Sequence, residues 1–213
     1  MLSHLNDSLF LLLNASGHPD FAVVALAEVA AEWVIYATMM LVAALWIWGQ
    51  PQRRGQLLAT VVGVSAAIGI NQLLGMLWYE PRPFIAGLGR TLIEHAPDNS
   101  FPSDHATFMW SLGFSLIITA AARRWGILVG LGGLLVAWAR VYVGVHYPID
   151  MIASFFVALV GAGISLSLVT LMGRWPRSIA ERIYFGCLRM LHLPPRLFPR
   201  ASLERSKSQV GTH

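Results

Sequence analysis

Five long apolar stretches constrain the fold of this chain more than any other feature. They cover approximately residues 21–48, 57–79, 106–122, 126–144 and 150–172. A helix that crosses a membrane needs about 20 mostly apolar residues, and the second and third stretches contain no Asp, Glu, Lys or Arg. Only 12% of the 213 residues are charged, against about 25% in soluble domains. The sequence therefore predicts an all-α fold, a polytopic transmembrane helical bundle of about five spans.

Two segments outside these stretches complete the predicted organisation. Residues 3–13 are apolar but too short to span, so they form either an interfacial helix or an extension of the first span. We expect a membrane-embedded domain over residues 1–172 and a basic tail over 173–213. Part of the tail, Ser178–Leu191, has an amphipathic pattern typical of a helix on an anionic leaflet, with a disordered basic tail as the alternative, above all after Pro194. The apolar face of that helix would consist of Ile179, Ile183, Cys187, Leu188 and Leu191.

The basic residues predict an orientation. Twelve of the 15 Lys and Arg residues follow the first, third or fifth stretch, and only Arg82, Arg90 and Arg140 belong to the other side. The positive-inside rule makes the richer side cytoplasmic, so the N-terminus lies outside and the C-terminus inside. The formal net charge of +4 therefore indicates contact with membrane lipids and not with nucleic acid. A single cysteine, Cys187, excludes an intramolecular disulfide and a cysteine metal cluster.

Three polar clusters fall on the predicted outer face. The first runs from Tyr79 to Phe84, the second from Ser100 to His105, and the third from Ala139 to Asp150. Arg82 and Arg140 offer planar, permanently charged forks suited to phosphate oxygens. Ser103 lies where the N-cap of the third span belongs, and a helix start favours an anion.

Histidines supply the reactive groups. Pro148 suits the first turn of the fifth span, so Asp150 within that turn can reach back to His146 and fix its tautomer. A second imidazole, His105, begins the third span. One histidine can attack phosphorus and the other can protonate the leaving oxygen. The combination predicts a phosphoryl-transfer site that needs no metal or cofactor.

Simpler interpretations exist for parts of this set. Arg140 could extend to the headgroups, and Trp78, Tyr79, Tyr142 and Tyr147 could form an aromatic belt, an interpretation we accept for the aromatic residues. A metal site of two histidines and a carboxylate is disfavoured because paired arginines repel a cation. A transporter would place its ionisable groups near the bilayer midplane, whereas these clusters lie at one end.

The three clusters resemble the signature of the type 2 phosphatidic acid phosphatase family, Lys-x6-Arg-Pro, Pro-Ser-Gly-His and Ser-Arg-x5-His-x3-Asp. Arg82-Pro83 matches the end of the first part, Pro102-Ser103-Asp104-His105 the second, and Arg140, His146 and Asp150 the third. Glu-Pro-Arg-Pro-Phe, Ser-Phe-Pro-Ser-Asp-His-Ala-Thr and Val-His-Tyr-Pro-Ile-Asp are similar to the BcrC-type branch, the bacterial undecaprenyl pyrophosphate phosphatases.

The resemblance implies an activity and a role for each residue. The expected substrate is an isoprenoid lipid diphosphate, hydrolysed to the monophosphate at the outer face of the inner membrane, which recycles the carrier for peptidoglycan synthesis and confers bacitracin tolerance. His146 is then the nucleophile, oriented by Asp150, and His105 is the general acid. Phosphate is held by Arg82, Ser103 and Arg140. Alternatives are a phosphatidic acid or phosphatidylglycerophosphate phosphatase and a phosphotransferase to lipid A.

Some positions depart from the signature or have no assigned role. Gly75 stands where the family has Lys and Ala139 where it has Ser, while Asp104 adds a negative charge beside the expected phosphate pocket. Glu80 could interact with Arg82 or with substrate. Glu28 and Glu32, four residues apart, either contact the site region, including Asn71 or Gln72, or mark an interfacial start of the first span.

Overall fold

The computed structural model describes residues 2–15, 17–173, 175–190 and 192. Helices account for all of the regular structure in that part of the chain, because the lipid-length apolar runs can satisfy their backbone polar groups only internally. In chain order they are α1 (Leu2–Leu13), α2 (Phe21–Glu32), α3 (Val34–Ile47), α4 (Pro51–Leu77), α5 (Asp104–Ile118), α6 (Arg123–Tyr142), α7 (Pro148–Leu171) and α8 (Trp175–Met190).

Fewer helices than five have the full length and hydropathy of a membrane crossing. Among the described residues these are α4, α6 and α7, and the bent pair α2–α3 makes a fourth if it is one span. The predicted third span is only 15 residues long, as α5. Large apolar side chains such as Met76, Leu131 and Phe156 are exposed on the long helices, as expected for helices that face lipid.

The predicted first span is broken at Trp33. Helices α2 and α3 meet there at 46°, although the sequence has neither Pro nor Gly between residues 21 and 47. The two halves have different neighbours, because α2 packs against α6 whereas α3 contacts α4, α5 and α6. The break therefore follows from tertiary packing and not from a local signal.

Helix α5 lies at the centre of the bundle, in contact with α4, α6 and α7. Close approach depends on small residues: a Cβ on Gly113 of α5 would come within 2.8 Å of the Gly130 backbone of α6. A Cβ on Gly161 of α7 would likewise come within 2.8 Å of the Gly63 carbonyl of α4. Small residues at helix crossings are typical of membrane bundles, and here they fix the helix ends that carry the polar clusters.

The terminal helices both pack on the bundle. Helix α1 is separate from α2, and its Phe10 is buried with the ring centroid 5.4 Å from that of Tyr147. Helix α8 packs on α4 through Ala180, Tyr184 and Leu188, which are buried. Leu188 belongs to the predicted apolar face, while Ile179 and Ile183 of that face are exposed, as they would be on a helix that lies on a leaflet. Leu191 and residues 193–213 lie outside the described part of the chain, so the predicted disordered tail is not described.

Candidate active site

Four helix ends meet at one end of the bundle, which we call the site end. Helices α4 and α6 finish there, α5 and α7 begin there, and the long segment between α4 and α5 covers them. That segment is tied down by hydrogen bonds from Leu92 N to the Val143 carbonyl and from Ser100 N to the Glu80 carbonyl. All three predicted polar clusters therefore lie on the same end.

His146 occupies the turn between α6 and α7. Gly144 makes the turn possible, with φ of 87° and the Arg90 carbonyl only 2.1 Å from where a Cβ would lie, a space and a conformation that glycine alone tolerates easily. The Nδ1 of His146 lies 3.1 Å from Oδ2 of Asp150, in the first turn of α7. The same Oδ2 accepts a hydrogen bond from Ser100 Oγ and one of 2.9 Å from Tyr147 N. These contacts fix the carboxylate, which in turn orients the imidazole.

Arg82 lies on the other side of the imidazole. Its NH1 donates to the Val145 carbonyl at 2.8 Å and lies 3.2 Å from Nε2 of His146. Its Nε donates to Asp98 Oδ1 at 2.7 Å. Arginine has no acceptor, so His146 Nε2 accepts and Nδ1 carries the proton toward Asp150. The lone pair that could attack phosphorus is thus on Nε2, beside a buried cation.

Arg140, near the end of α6, is held from two sides. Its NH2 lies 2.9 Å from Nε2 of His95, and its NH1 donates to the Ala31 carbonyl at 3.5 Å. His95 comes from the segment between α4 and α5, and its Nδ1 lies 3.1 Å from the Ala96 carbonyl. Its ring centroid is 6.5 Å from that of His146. Two guanidinium groups and two imidazoles therefore converge on one region.

A cavity of about 440 Å³ opens between these side chains. Arg82, Arg140, His105 and His146 line it, together with His95. Ser103 and Asp150 are absent from its wall and lie buried behind it. Ser103 is the N-cap of α5, but its side chain caps nothing.

Buried polar atoms without partners concentrate around this cavity. Five such side-chain atoms occur in the described part of the chain, and three of them are Ser103 Oγ, Arg140 Nε and Asp150 Oδ1. An unpartnered buried polar group costs about 1–3 kcal/mol. Such a concentration is typical of a site that completes its hydrogen bonds with a ligand.

Burial determines the charge of the loop histidines. It lowers the pKa of His146 well below the usual 6.5, and the positive charges of Arg140 and Arg82 lower it further. Burial also lowers the pKa of His95, against the hydrogen bond to the Ala96 carbonyl, which raises it. Both imidazoles are therefore neutral at pH 7 in the ligand-free site, and His146 is in the form that a nucleophile requires.

The positions that depart from the signature have structural explanations. Asp104 does line the cavity, but its two carboxylate oxygens accept hydrogen bonds from Asn71 Nδ2 at 2.8 Å and Gln72 Nε2 at 2.9 Å, which tie α4 to α5. A Cβ on Gly75 would meet Asn99 Nδ2 at 3.0 Å, so the Asn99 amide lies beside the backbone where the family has a lysine. Ala139 is buried in a cluster with three alanines of α2.

The three glutamates do not join the catalytic contacts. Glu80 accepts a 3.5 Å hydrogen bond from Trp78 Nε1, and Arg82 pairs with Asp98 instead. Asn71 and Gln72 bind Asp104 and not Glu28 or Glu32. Glu32 lies on the wall of a second cavity next to the first.

Sequence reasoning missed three residues that contact the predicted set: His95, Asp98 and Ser100, all in the segment between α4 and α5. Ser100 was inside the second cluster but had no role. The sequence did hold a signal for His95: the predicted topology that puts the three clusters on one face also puts every residue of the segment between α4 and α5 on that face.

Comparisons with known proteins add a second kind of evidence. The model of the PAP2 superfamily matches residues 56–174, a range that includes all six predicted site residues. The chain is 35% identical to YbjG of Escherichia coli (strain K12) over 76% of this chain and 81% of that protein. It is 31% identical to the undecaprenyl-diphosphatase BcrC of Bacillus subtilis (strain 168) over 73% of this chain and 80% of that one.

Two crystal structures have a similar fold. LpxE of Aquifex aeolicus superposes with a TM-score of 0.56 at 22% identity, over 76% of this chain and 95% of that one. A transmembrane PAP2-type phosphatidylglycerolphosphate phosphatase from Bacillus subtilis gives 0.58 at 15% identity, over 82% and 89%. At these identities the likeness concerns the fold alone.

Proposed function

Because this chain belongs to the PAP2 superfamily and is a multi-pass membrane lipid phosphatase, we propose that it is an undecaprenyl diphosphate phosphatase. One observation carries the mechanism: a buried neutral His146 is oriented by Asp150, contacts Arg82 and lines the same cavity as Arg82 and Arg140. The name of its relative BcrC supports the substrate. The product is undecaprenyl phosphate, the reusable carrier for peptidoglycan synthesis, and its supply confers bacitracin resistance.

Substrate binding rearranges one contact. The terminal phosphate enters between Arg82 and Arg140, whose charges offset its own. Its oxygens compete with His146 Nε2 for the NH1 of Arg82, and Arg82 moves from the lone pair to the phosphate. The N–H groups at the start of α5 complete the phosphate site. Ser103 Oγ, which lies behind the cavity wall without a partner, joins them only when its side chain turns toward the phosphate.

The reaction has two steps. His146 Nε2 attacks the terminal phosphorus, the bond from that phosphorus to the bridging oxygen breaks, and undecaprenyl phosphate leaves with the bonding electrons. His105, on the cavity wall, donates a proton to the leaving oxygen where one is needed. Water then attacks the phosphohistidine and gives a proton to His105, the P–N bond breaks, and inorganic phosphate leaves with His146 restored. Asp150 stabilises the charged imidazole in both steps.

The basic residues support the proposed orientation. Helix direction puts the start of α4 and α8 at the opposite end from the site, and Arg54 and Glu181 join them there. The sequence places twelve of 15 basic residues on that side. The site end then faces the periplasm and the C-terminus the cytoplasm.

The substrate and the metal-free mechanism can be tested together. Purified protein is incubated with undecaprenyl diphosphate, phosphatidic acid, phosphatidylglycerophosphate and lipid A, with and without excess chelator. We expect phosphate release to be fastest from undecaprenyl diphosphate and insensitive to the chelator, because arginines supply the positive charge. Faster release from another lipid contradicts the substrate, and loss of activity that metal restores contradicts the mechanism.

The orientation can be tested with single cysteines in a Cys187→Ala background. Glu94 at the site end and Gln52 at the start of α4 are both exposed, so Glu94→Cys and Gln52→Cys leave the packing unchanged. A membrane-impermeant maleimide applied to intact spheroplasts should label position 94 strongly and position 52 only after permeabilisation. The opposite pattern would reverse the proposed topology.

A further inference from the structure

Resting on the proposed function, we propose that His95 binds the phosphate that stays with the lipid and so makes the site selective for diphosphates over monophosphates. His95 belongs to no part of the family signature. The site lacks the signature lysine, since position 75 is glycine and the Asn99 amide lies beside it, yet a diphosphate brings more negative charge than a monophosphate. Another group must compensate for that charge.

His95 lies at the boundary between two cavities. The first contains His146, and the second, also about 440 Å³, is bounded by Trp33 and Tyr36 of the α2–α3 bend. Three side chains line both cavities, namely His95, His105 and Arg140. All three can carry positive charge, and no carboxylate is shared between the two cavities. The boundary is therefore the most favourable place for a second phosphate.

Distance favours the same assignment. The phosphorus attacked by His146 must lie about 3–3.5 Å from Nε2. The His95 ring is 6.5 Å from the His146 ring, centroid to centroid. That spacing lets a diphosphate whose terminal phosphorus faces His146 bring its second phosphate into contact with His95. Arg140, whose NH2 is 2.9 Å from His95 Nε2, can then bridge the two phosphates.

Acidic groups limit where the second phosphate can lie. Glu32 is exposed on the wall of the second cavity, so it repels an anion from the outer part. Asp98, 3.7 Å from His95 Nδ1, is already paired with Arg82. The phosphate is thus confined to the boundary. Its charge draws Arg140 NH2 away from His95 Nε2 and favours a protonated His95 that donates to the phosphate from the freed Nε2. In this pose the lipid chain of the bound substrate extends out of the site past Trp33 and Tyr36.

The test compares inhibitors that differ by one phosphate. Pyrophosphate occupies both positions and inorganic phosphate only the one at His146. We expect His95→Ala to weaken inhibition by pyrophosphate about 10–100-fold, the value of one charge-assisted hydrogen bond, and to change inhibition by phosphate less than about 3-fold. His95→Lys, which supplies a permanent cation, should retain most of the pyrophosphate affinity. His18→Ala, an exposed histidine between α1 and α2, is the matched control.

A purely structural role gives a different result. Equal weakening of both inhibitors, or of neither, would overturn the assignment. If His95→Ala fails to fold, His95→Gln keeps an acceptor for Arg140 without the charge and should show the same selective loss. Inhibition can be measured with any phosphate ester that the wild type hydrolyses. A wild type inactive on undecaprenyl diphosphate therefore contradicts the proposed substrate without deciding the role of His95.

Discussion

The bundle buries arginines at both of its ends, and the partners of Arg54 at one end differ from those of Arg140 at the other. Arg54, at the α8 end, donates to the carbonyls of Trp46 and Ile47 and pairs with Glu181 Oε1 at 3.1 Å. Its guanidinium also lies 3.3 Å from the centroid of the Tyr184 ring. Arg140, at the site end, has an unpartnered Nε, one long bond to a carbonyl and a neutral imidazole as its other partner.

The difference distinguishes a buried arginine with a structural role from a buried arginine with a functional one. A buried charge is tolerated when carboxylate, carbonyl and aromatic partners surround it, and Arg54 meets that condition within the protein. Arg140 does not, and in the proposed function its missing partner is the phosphate of the substrate. The comparison predicts that changes at the site end cost activity and changes at the α8 end cost stability.

The largest effect is expected at His146. His146→Ala removes the proposed nucleophile, so phosphate release should fall by at least about 10⁴-fold on every substrate. The thermal midpoint in detergent should stay close to that of the wild type. Wild-type protein stopped in alkaline detergent after reaction with substrate labelled in its terminal phosphate should carry acid-labile phosphate on nitrogen, and His146→Ala should carry none. Full labelling of the variant would move the nucleophile elsewhere.

Arg140→Leu should come next, with a loss of about 10²–10³-fold in kcat/KM, because a preorganised cation at the reacting phosphate is removed. The substitution also removes an under-satisfied buried charge, so stability should not fall. Arg140→Lys keeps the charge but loses the planar fork and should be intermediate. A strong loss of thermal stability in Arg140→Leu would show that the two arginines do not differ as proposed.

Arg54→Leu should behave in the opposite way. It leaves the partly buried Glu181 without its partner, which should cost at most the value for a fully buried pair, about 3–5 kcal/mol, while kcat/KM of the folded protein changes only a few-fold. Unfolding in detergent followed by tryptophan fluorescence measures the first quantity, and phosphate release at low temperature the second. The double variant Arg54→Leu/Glu181→Leu should regain part of the stability. An inactive but stable Arg54→Leu would contradict the comparison.

The smallest effect concerns pH. His146 must be neutral to attack, and its pKa is lowered by burial, so kcat/KM should stay constant from pH 7 down to the usual histidine value of 6.5 and fall only below it. Phosphorus NMR in the same detergent measures the ionisation of the substrate separately. The pH profiles of His95→Gln and His105→Gln show how much of any decline comes from His95 or His105. If kcat/KM has already fallen fully at pH 6.5 after these corrections, His146 is not buried and neutral as described.

The sequence predicted those features that depend on a periodic pattern or on the chemistry of one or two neighbouring residues. Apolar length identified the helices, Pro148 marked the start of α7, and Ser103 marked the N-cap of α5. Side-by-side placement of the three clusters followed from counting spans. These predictions depend on short-range rules, which operate within one helix or across one membrane.

The segment between α4 and α5 could not be predicted in the same way. It has no periodicity, and its path is fixed by single long-range bonds such as Leu92 N to Val143 O. His95, Asp98 and Ser100 were missed for that reason. The break at Trp33 and the shortness of α5 were also missed, since both arise from which neighbours each helix meets.

The hydrogen bonds that the Asn71 and Gln72 amides donate to Asp104 predict which positions change together during evolution. The family signature has glycine at that position, where Gln72 Nε2 has no carboxylate to bind, while Asn71 still has the Pro102 carbonyl. Positions 72 and 104 should therefore covary among relatives: an acidic residue at 104 selects for an amide at 72, and glycine releases it. Position 71 should vary less, because Thr107 and Pro102 constrain it independently.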